Sequence, residues 1–365
     1  MRPSTAFPRQ TPKSLGPRAQ ETIMPNSRTS RRRFVKGTAA SAAIAPFFIG
    51  RPAKAGDAEF TLKFASVAPA GTTWANTAKK FKKYVKENTE GRVKVKTYLG
   101  GGLGGEIETA EATKRGSIAG WGGSMGALSS AVPEIECFEL PYLFKDSKQA
   151  LKVLKAVRQQ THDLLWDRGY KLAFFSQNGF RSIGSSKPIL TVKDLKGLKM
   201  RSQQTKVHLD LWKAFGASPI PMAVTEVLSS MQTGVIDGYD NTELFAFAAA
   251  WYVATTHFTR TQHIYQPAAI VYSKKWFQSL PKELQEVLSG DSEEVLKMEK
   301  RSFRSVDAMG PQLVQNFRDA GIEVHELDDA TRNKFKAATS GVKGKFKSRT
   351  TKAGKDLLKA IEKAT

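Results

Sequence analysis

From residue 59 onward, apolar and polar residues follow two different periods that alternate along the chain. Stretches with an apolar residue at every second position predict half-buried strands, and stretches with apolar residues three or four positions apart predict amphipathic helices. The first elements follow one another as strand, helix, strand, helix and strand, at residues 59–67, 72–91, 92–99, 106–116 and 117–124. This order predicts the α/β class, with a parallel sheet and right-handed helical crossovers.

The remainder of the chain continues in the same manner after a long amphipathic helix near residues 146–168. With helices between them, further strands are predicted at residues 170–185, 198–202, 218–222, 235–241 and 263–273. Helices cover residues 274–320, residues 321–327 predict a last strand, and two helices end the chain. Neither a repeat nor a low-complexity linker separates the two α/β units, so we expect domains that exchange strands across a hinge.

The net charge of +23 over 365 residues is concentrated at the two ends of the chain. The first 56 residues carry +10 and residues 341–365 carry +6, which leaves +7 for everything between them. A nucleic-acid-binding protein usually places its basic stripe within a recognisable reading motif. No such motif occurs, so we expect no nucleic-acid partner. The basic tail favours a solvated amphipathic helix, with contact to an anionic membrane or an acidic partner as the alternative.

The N-terminal region has the three parts of an export signal in the right order. The stretch "SRRRFVK" (30–36) resembles the twin-arginine motif, with Arg31 and Arg32 as the pair. A weakly apolar run of 14 residues follows, too short to span a bilayer, and "AKA" (53–55) fits a small-x-small cleavage rule. A disordered basic tail is the alternative interpretation.

We therefore expect residues 1–55 to be a twin-arginine signal, cleaved after Ala55 once the export machinery has delivered the protein to the periplasm. A start at Met24 would give a signal of more usual length. The residue directly after the cleavage site is Gly56 and not a cysteine, so no lipid anchor is expected.

Enzyme and metal motifs are missing from the sequence. The lone Cys137 excludes an intramolecular disulfide and a multi-cysteine metal site. The five histidines are scattered without an H-x-x-x-H pair, and neither a nucleophile elbow nor a phosphate loop occurs. "GGGLGG" (100–105) lacks the lysine and hydroxyl that a phosphate loop needs. We therefore expect no catalytic residue, no cofactor and no bound metal.

Polar residues at strand ends are the strongest functional signal. Arg181, Arg201 and Asn241 each lie at or near the end of a predicted strand. Ligands of open α/β sheets bind outside the carboxyl ends of the strands, and the planar fork of arginine pairs both oxygens of a carboxylate. Each arginine taken alone is also compatible with an ordinary surface charge.

Several blocks resemble, in order and spacing, the solute receptors of tripartite ATP-independent periplasmic (TRAP) transporters, the C4-dicarboxylate-binding-like family. The similarity covers roughly residues 60–300, and its longest blocks are "KPILTVKDLKGLKMRSQQT", "FGASPIPMAVTEVLSSMQTGVIDGYDN" and "HIYQPAAIVYSKKWFQSLPKELQEVL". The resemblance implies a two-lobed periplasmic-binding-protein-like fold with hinge strands and a long connecting helix. Lobe I would comprise residues 56–178 plus about 267–308, and lobe II residues 179–266 plus about 309–365.

The resemblance also implies roles for individual residues. Arg201, after "GLK-x-", would pair with the ligand carboxylate, and Arg181 would assist it. Asn241 matches the asparagine of the family's D-G-Q-E-N-P, which here reads "DGYDNT". Ser124 stands near the position where sialic-acid receptors carry glutamate, which argues against that ligand. The stretch "DNTE" lacks the tryptophan–glutamate pair with which some keto-acid receptors hold a cation.

Two tryptophans are further candidates for the wall of the cleft, Trp74 and Trp121, although Trp74 also fits the apolar stripe of its helix. We expect a receptor that captures a small organic acid and delivers it to the membrane subunits of a TRAP transporter. A receptor for an ABC importer or a sensor is the first alternative, and a periplasmic enzyme on a two-lobed α/β scaffold is the second.

Overall fold

A computed structural model describes residues 58–365, so the predicted signal, its cleavage site and the alternative start at Met24 lie outside the described residues. The described chain contains a mixed sheet of nine strands. The strands are β1 Phe60–Ala65, β2 Val93–Tyr98, β3 Gly120–Ser124, β4 Tyr170–Ser185, β5 Lys199–Ser202, β6 Ser218–Pro221, β7 Gly238–Thr242, β8 His257–Ser273 and β9 Glu323–Glu326.

Helices cover the sheet and fill the connections. The α-helices are α1 Thr73–Asn88, α2 Glu106–Arg115, α3 Met125–Leu128, α4 Ser147–Ala156, α5 Arg158–Asp167, α6 Lys206–Ala214, α7 Val227–Gln232, α8 Glu243–Ala248, α9 Lys274–Gln278, α10 Lys282–Val287, α11 Glu293–Asp307, α12 Gly310–Asp319, α13 Asp329–Ala338, α14 Ser340–Arg349 and α15 Lys352–Ala364. Short 3₁₀ helices lie at Pro133–Glu139, Val192–Leu195, Val224–Glu226 and Trp251–Ala254. Within residues 58–365, no helix is both long and apolar enough to cross a membrane.

The strand order β2-β1-β3-β8-β4-β7-β5-β6, with β9 beside β8, joins two parallel units through two long antiparallel strands. In the first unit β1 pairs in parallel with β2 and β3, which confirms the predicted parallel sheet. In the second unit β5 pairs in parallel with β6 and β7. The strands β4 and β8 pair with each other and reach both units, so they are the hinge strands of the two-lobed fold.

The long strand β4 is irregular at its middle. Its pairing with β8 shifts register between Gln177 and Gly179, and Gly179 has a φ of 100°. The helix α11 packs on β4, and α12 follows after two residues and packs on α8. The fold class is therefore as predicted, whereas the residue limits of the two lobes stay a prediction.

Two helical predictions are wrong in detail. The predicted helix at 146–168 is two helices that meet at Val157, whose φ of −105° and ψ of 14° interrupt the helix. At this break the Arg158 side chain forms an ion pair with buried Glu299 of α11. The chain also ends in three helices after β9, because α14 and α15 are separated at Thr350 and the Thr351 side chain caps α15.

The basic tail is part of the folded structure. The helix α15 buries Leu357, Leu358 and Ile361 in the main apolar core, next to the 3₁₀ helix Pro133–Glu139. Its lysines lie on the exposed side. The described structure therefore favours the amphipathic-helix interpretation of residues 352–364.

The helix α1, near the start of the described residues, buries the predicted apolar stripe except for Trp74. The Thr72 side chain caps its first turn, and Ala75, Ala78, Phe81 and Val85 are buried. Phe81 packs near Phe174 of β4 and Tyr272 of β8. Trp74 lies outside this stripe and is half-buried, packed against a small apolar cluster that contains Leu244 and Val306.

Candidate functional site

Arg201 is a buried cation whose hydrogen bonds are incomplete. It lies on β5, is 2% exposed, and donates from Nε and Nη2 to the carbonyl oxygen of Met222 at 3.3 and 3.0 Å. Its Nη1 has no hydrogen-bond partner within the described part of the chain. Burial and repulsion by the Arg181 guanidinium lower the pKa of Arg201 to about 10, so it is still a cation at neutral pH. A buried cation with an unused donor favours an anionic partner.

Arg201 lines a cavity of about 370 Å³. Two of its walls come from the start of α2 and from the segment before α7. These segments are far apart in sequence and lie close together in the fold. The lining residues are Gly105, Glu106, Ile107, Glu108, Ala127, Arg201, Gln203, Gln204, Ala223, Val224, Thr225 and Glu226. A Cβ atom built on Gly101 would lie 3.2 Å from Thr225 Cγ2, which shows how closely the glycine-rich loop approaches this segment.

Three glutamates line this cavity, Glu106, Glu108 and Glu226, and Glu106, the first residue of α2, is held by two hydrogen bonds from the end of β3. Its Oε1 accepts a hydrogen bond from the Ser124 backbone N–H at 2.8 Å, and its Oε2 accepts one from Ser124 Oγ at 3.2 Å. Burial raises the pKa of the Glu106 carboxyl, while these bonds and the charge of Arg201 act in the opposite direction. The geometry thus places a carboxyl group and a guanidinium in the same cavity.

The glycines around Ser124 make this arrangement possible. A Cβ atom on Gly123 would lie 2.6 Å from Glu106 Oε1 and 2.5 Å from Trp121 Cζ2. Only glycine therefore lets the carboxylate approach the end of β3. The glycine-rich loop before α2 forms a turn in which Gly104 has a φ of 116°. Glycine adopts this left-handed conformation without strain.

A second, smaller cavity of about 60 Å³ shares Glu106 with the first and is mostly apolar. Trp74 and Phe245 lie on its wall with ring centroids 6.2 Å apart, and Trp74 Nε1 donates to the Gln177 carbonyl oxygen at 2.9 Å. Other lining residues are Phe64, Ser66, Val67, Ala68, Thr77, Ala78, Phe81, Leu99, Gly122, Gly123, Phe174, Ser176, Asn178, Ala268 and Ile270. A molecule that extended from Arg201 past Glu106 would meet these aromatic faces.

Arg181 is fully engaged by neighbouring residues. Its Nε donates to Asp240 Oδ2 at 2.5 Å and its Nη2 to the Asp240 carbonyl oxygen at 2.6 Å. Its Nη1 donates to Asn241 Oδ1 at 3.2 Å and to Gln266 Oε1 at 3.0 Å. Burial alone would raise the pKa of the Asp240 carboxyl, but Arg181 and a hydrogen bond from His263 hold this pKa well below its usual range. The Arg181 charge is therefore compensated inside the protein.

A chain of buried amides connects the ion pair to the cavity. Gln266 Nε2 donates to Gln203 Oε1 at 3.0 Å, and Gln203 Nε2 donates to Ser124 Oγ at 3.0 Å. Gln266 Nε2 also donates to Glu139 Oε2 at 3.1 Å, and the same carboxylate lies 2.6 Å from His208 Nε2. These bonds fix the orientation of the amides, while His208 Nδ1 is buried without a hydrogen-bond partner among the described residues.

The six predicted site residues fall into three groups. Arg201 and Trp74 line the two cavities. Arg181, Asn241 and Ser124 are buried behind the cavity walls and bonded to other side chains. The structure places Trp121 in the core, fully buried, where Nε1 donates to the Glu106 carbonyl oxygen at 3.1 Å and to Thr109 Oγ1 at 3.2 Å. Trp121 therefore holds the backbone of Glu106 by a hydrogen bond and does not form the cleft wall.

The sequence interpretation missed Glu106 and Gln203. Glu106 directly follows the glycine-rich loop at the carboxyl end of a strand, which is a position where ligand-binding groups are expected. That signal was available in the sequence. Gln203 follows Arg201 at the end of β5, but its role in the amide chain depends on Gln266, which no local pattern connects to it.

Comparison with known proteins gives consistent matches over most of the chain. A family model described as bacterial extracellular solute-binding protein, family 7, matches residues 64–349. A solute-binding protein of Verminephrobacter eiseniae (strain EF01-2) is 31% identical over 284 residues, which cover 77% of this chain and 83% of that protein.

Two solved structures have the same fold. The sugar acid binding protein DctPAm from Advenella mimigardefordensis strain DPN7T, in complex with galactonate, superposes with a TM-score of 0.78 at 25% identity, covering 85% of this chain and all of that one. A TRAP periplasmic solute binding protein from Pseudomonas putida F1, with bound D-glucuronate, gives 0.75 at 28% identity over 82% of this chain and 96% of that one.

Proposed function

Because the chain belongs to family 7 of the bacterial extracellular solute-binding proteins, the receptors that capture small organic acids for TRAP transporters, we propose that its ligand is a hydroxylated monocarboxylate anchored by Arg201. One observation carries this proposal: Arg201 is buried at the cavity wall and its Nη1 has no partner among the described residues. A carboxylate can take two parallel hydrogen bonds from the guanidinium fork.

The charges around the cavity support one carboxylate in preference to two. Arg201 is the one cationic side chain among the residues that line the two described cavities. Arg181 is already paired with Asp240, and Glu106 lies on the opposite wall. A second ligand carboxylate beside Glu106 would create two like charges at close range, and one of them would have to take up a proton.

The polar groups of the cavity support hydroxyl groups on the ligand. Glu106 accepts hydrogen bonds, and Gln203 and Asn178 present amides to the cavities. Trp74 and Phe245 offer flat faces that can cover the C–H side of a carbon chain or a sugar ring. The sugar acids galactonate and D-glucuronate, bound to the two similar receptors, belong to this class of ligand.

The mechanism is capture by closure, without chemistry on the ligand. Contacts from the Arg201 side and from the Glu106 side both stabilise the closed form, so the ligand shifts the equilibrium toward it. Arg181 would act by positioning Asp240 and Asn241, and not by touching the carboxylate. The TRAP membrane subunits would then receive the ligand, as in the rest of the family.

We further propose that the twin-arginine motif at Arg31 and Arg32 exports the protein in folded form. Homologues of this chain are periplasmic solute-binding proteins, which supports the periplasm as its destination. Blockage of export by an Arg31→Lys/Arg32→Lys double variant, seen as loss of the protein from the periplasmic fraction, tests this route. Unchanged periplasmic protein in a strain without the twin-arginine translocase would refute it.

A calorimetric titration series tests the ligand class. Galactonate, D-glucuronate and D-gluconate are compared with succinate on wild type, Arg201→Lys and Lys199→Ala. Lys199 is the matched control because it lies on the same strand with an exposed side chain. We expect tight binding of a hydroxylated monocarboxylate, loss of it in Arg201→Lys, and no change in Lys199→Ala. Succinate as the tightest ligand, or unchanged binding in Arg201→Lys, would overturn the proposal. Recovery of the ligand unaltered from the complex separates a receptor from an enzyme.

A further inference from the structure

Two histidines and a glutamate converge where the last strand joins the sheet. The strands β8 and β9 are parallel, with His257 opposite Glu323 and Thr259 opposite His325. Side chains two positions apart on a strand share a face, so Glu323 and His325 point to the same side. His257, as the partner of Glu323 in register, joins them there. The strand geometry thus brings three metal-binding side chains together from positions up to 68 residues apart.

Two of the three donor–donor distances within this cluster match those between ligands of one metal ion. His257 Nδ1 lies 3.1 Å from His325 Nε2 and 3.5 Å from Glu323 Oε2. Zinc ligands bind at about 2.0–2.1 Å, which puts neighbouring ligand atoms of a tetrahedral site about 3.3–3.4 Å apart. All three donor atoms, one from each residue, lie within 4.8 Å of one another. An ion between them therefore requires only small side-chain adjustments.

The surroundings suit an ion that enters from solvent. The His257 and His325 side chains are only 18% and 14% exposed, and their rings stack with centroids 5.3 Å apart. Glu323 is 68% exposed and can swing over the pair. The two imidazoles are thus held in place, while the carboxylate side is open to water for a fourth ligand.

From this geometry we propose that His257, His325 and Glu323 bind a divalent transition metal ion, with zinc as the best fit. Imidazole nitrogen with one carboxylate oxygen suits zinc, whereas calcium and magnesium prefer all-oxygen sites. The two imidazoles now share one N–H···N hydrogen bond, and zinc would take its place once the donor ring carries its proton on the other ring nitrogen, so that both rings bind as neutral imidazoles. The bound ion would tie β9 to the long strand β8, outside the two cavities described above.

The site escapes a search for sequence motifs because its ligands come from two strands. Glu323 and His325 form an E-x-H pair that is unremarkable alone, and His257 lies at the start of a strand in a different block. The absence of H-x-x-x-H therefore does not bear on a site assembled through strand register.

Zinc titration of protein freed of any polyhistidine tag tests the proposal by calorimetry and by the melting temperature. We expect one zinc ion per chain with a dissociation constant in the micromolar range and a rise in melting temperature, because the ion binds only the folded state. His325→Gln and Glu323→Gln should each weaken binding by at least about 10-fold, because loss of a residue that only orients a metal ligand already costs about 10–100-fold. His162→Gln, which removes a histidine on the distant helix α5, should leave binding unchanged.

Glu323→Gln keeps the test decisive if a histidine variant folds poorly, since Glu323 is the most exposed of the three ligands. The melting temperature without metal shows whether each variant folds as wild type does. Absence of saturable zinc binding below about 1 mM, where specific sites are filled, would refute the site. So would zinc binding that Glu323→Gln and His325→Gln leave intact, or binding that His162→Gln abolishes.

Discussion

Asp240 binds Arg181 twice, through its carboxylate oxygen Oδ2 at 2.5 Å and through its backbone carbonyl oxygen at 2.6 Å. Both residues are buried, and His263 Nε2 lies 3.2 Å from the same Oδ2. The pair therefore neutralises one of the two buried arginines internally, which leaves Arg201 as the cation available for the proposed ligand carboxylate.

Loss of the Asp240 charge should destabilise the protein strongly. Asp240→Asn leaves the Arg181 guanidinium buried without a counter-charge, so we expect a loss of about 3–5 kcal/mol in the free energy of unfolding, the usual result of breaking a buried pair. Urea denaturation measures this. Glu87→Gln, which affects only an exposed ion pair on α1, is the control and should change stability by less than about 1 kcal/mol. Equal stability of the two variants would show that the Arg181–Asp240 ion pair does not stabilise the folded protein.

The same ion pair predicts how stability depends on acid. The pKa of Asp240 is lowered in the folded state, so the folded protein binds a proton less readily than the unfolded chain does. The stabilisation is fully present above the unfolded pKa of about 3.9 and is lost as the pH falls toward the folded pKa. The free energy of unfolding of the wild type should therefore fall more steeply below about pH 4 than that of Asp240→Asn. Parallel curves for the two proteins would show that Asp240 does not contribute.

Replacement of Arg201 by an apolar residue should weaken ligand binding without lowering the stability of the unliganded protein. Arg201→Met removes a buried cation with an unused donor and replaces it by an apolar side chain of similar length, so the unliganded variant should be as stable as the wild type or more stable. Affinity for the ligand should fall by about 2–5 kcal/mol, or roughly thirty- to several-thousand-fold. Thermal melting without ligand and calorimetry with ligand measure the two effects. A variant that is much less stable without ligand would indicate a structural role for Arg201.

Glu106 should determine whether the site prefers a ligand with one carboxylate or a ligand with two. Glu106→Gln removes the charge that opposes a second carboxylate but keeps a group of similar size. We expect about tenfold weaker binding of a hydroxylated monocarboxylate, which corresponds to about 1.4 kcal/mol, and tighter binding of succinate than in wild type. Calorimetry with both ligands gives the ratio directly, and a ratio that stays the same would exclude Glu106 as a selectivity group.

Gly123 should tolerate no side chain. A methyl group there would approach Trp121 Cζ2 and Glu106 Oε1 to 2.5 and 2.6 Å, so Gly123→Ala should cost about 1–3 kcal/mol of stability through overpacking. The matched control is Gly341→Ala on α14, where no atom lies within 4 Å of the new Cβ. This control should stabilise the protein by about 0.5–1 kcal/mol, because alanine is the better helix former. Chemical denaturation of both variants makes the comparison.

Much of the fold could be predicted from sequence because its strands and helices have clear periods. The strand at 170–185 has the predicted limits, and the first five elements form the expected parallel unit. The helix break at Val157 could not be predicted, since no glycine or proline marks it and the buried partner of Arg158 lies on α11.

The candidate site was only partly predictable for a similar reason. Arg201 stands at a strand end, where both its position on the strand and the chemistry of its guanidinium indicate a ligand-binding residue. Arg181 has the same local features, but its charge is compensated by a residue 59 positions away. Trp121 shows that alternation along a glycine-rich strand does not reveal which side faces the core, because both sides of β3 are covered.

The division of the cavity between distant segments has a kinetic consequence. Arg201 lies on β5, Glu106 on α2, and the glycine-rich loop closes against the segment around Thr225. A ligand that touches both walls must lose both sets of contacts before it can leave, so its residence time is set by how often this loop separates from that segment. Any event that separated these two segments would therefore shorten the residence time of such a ligand.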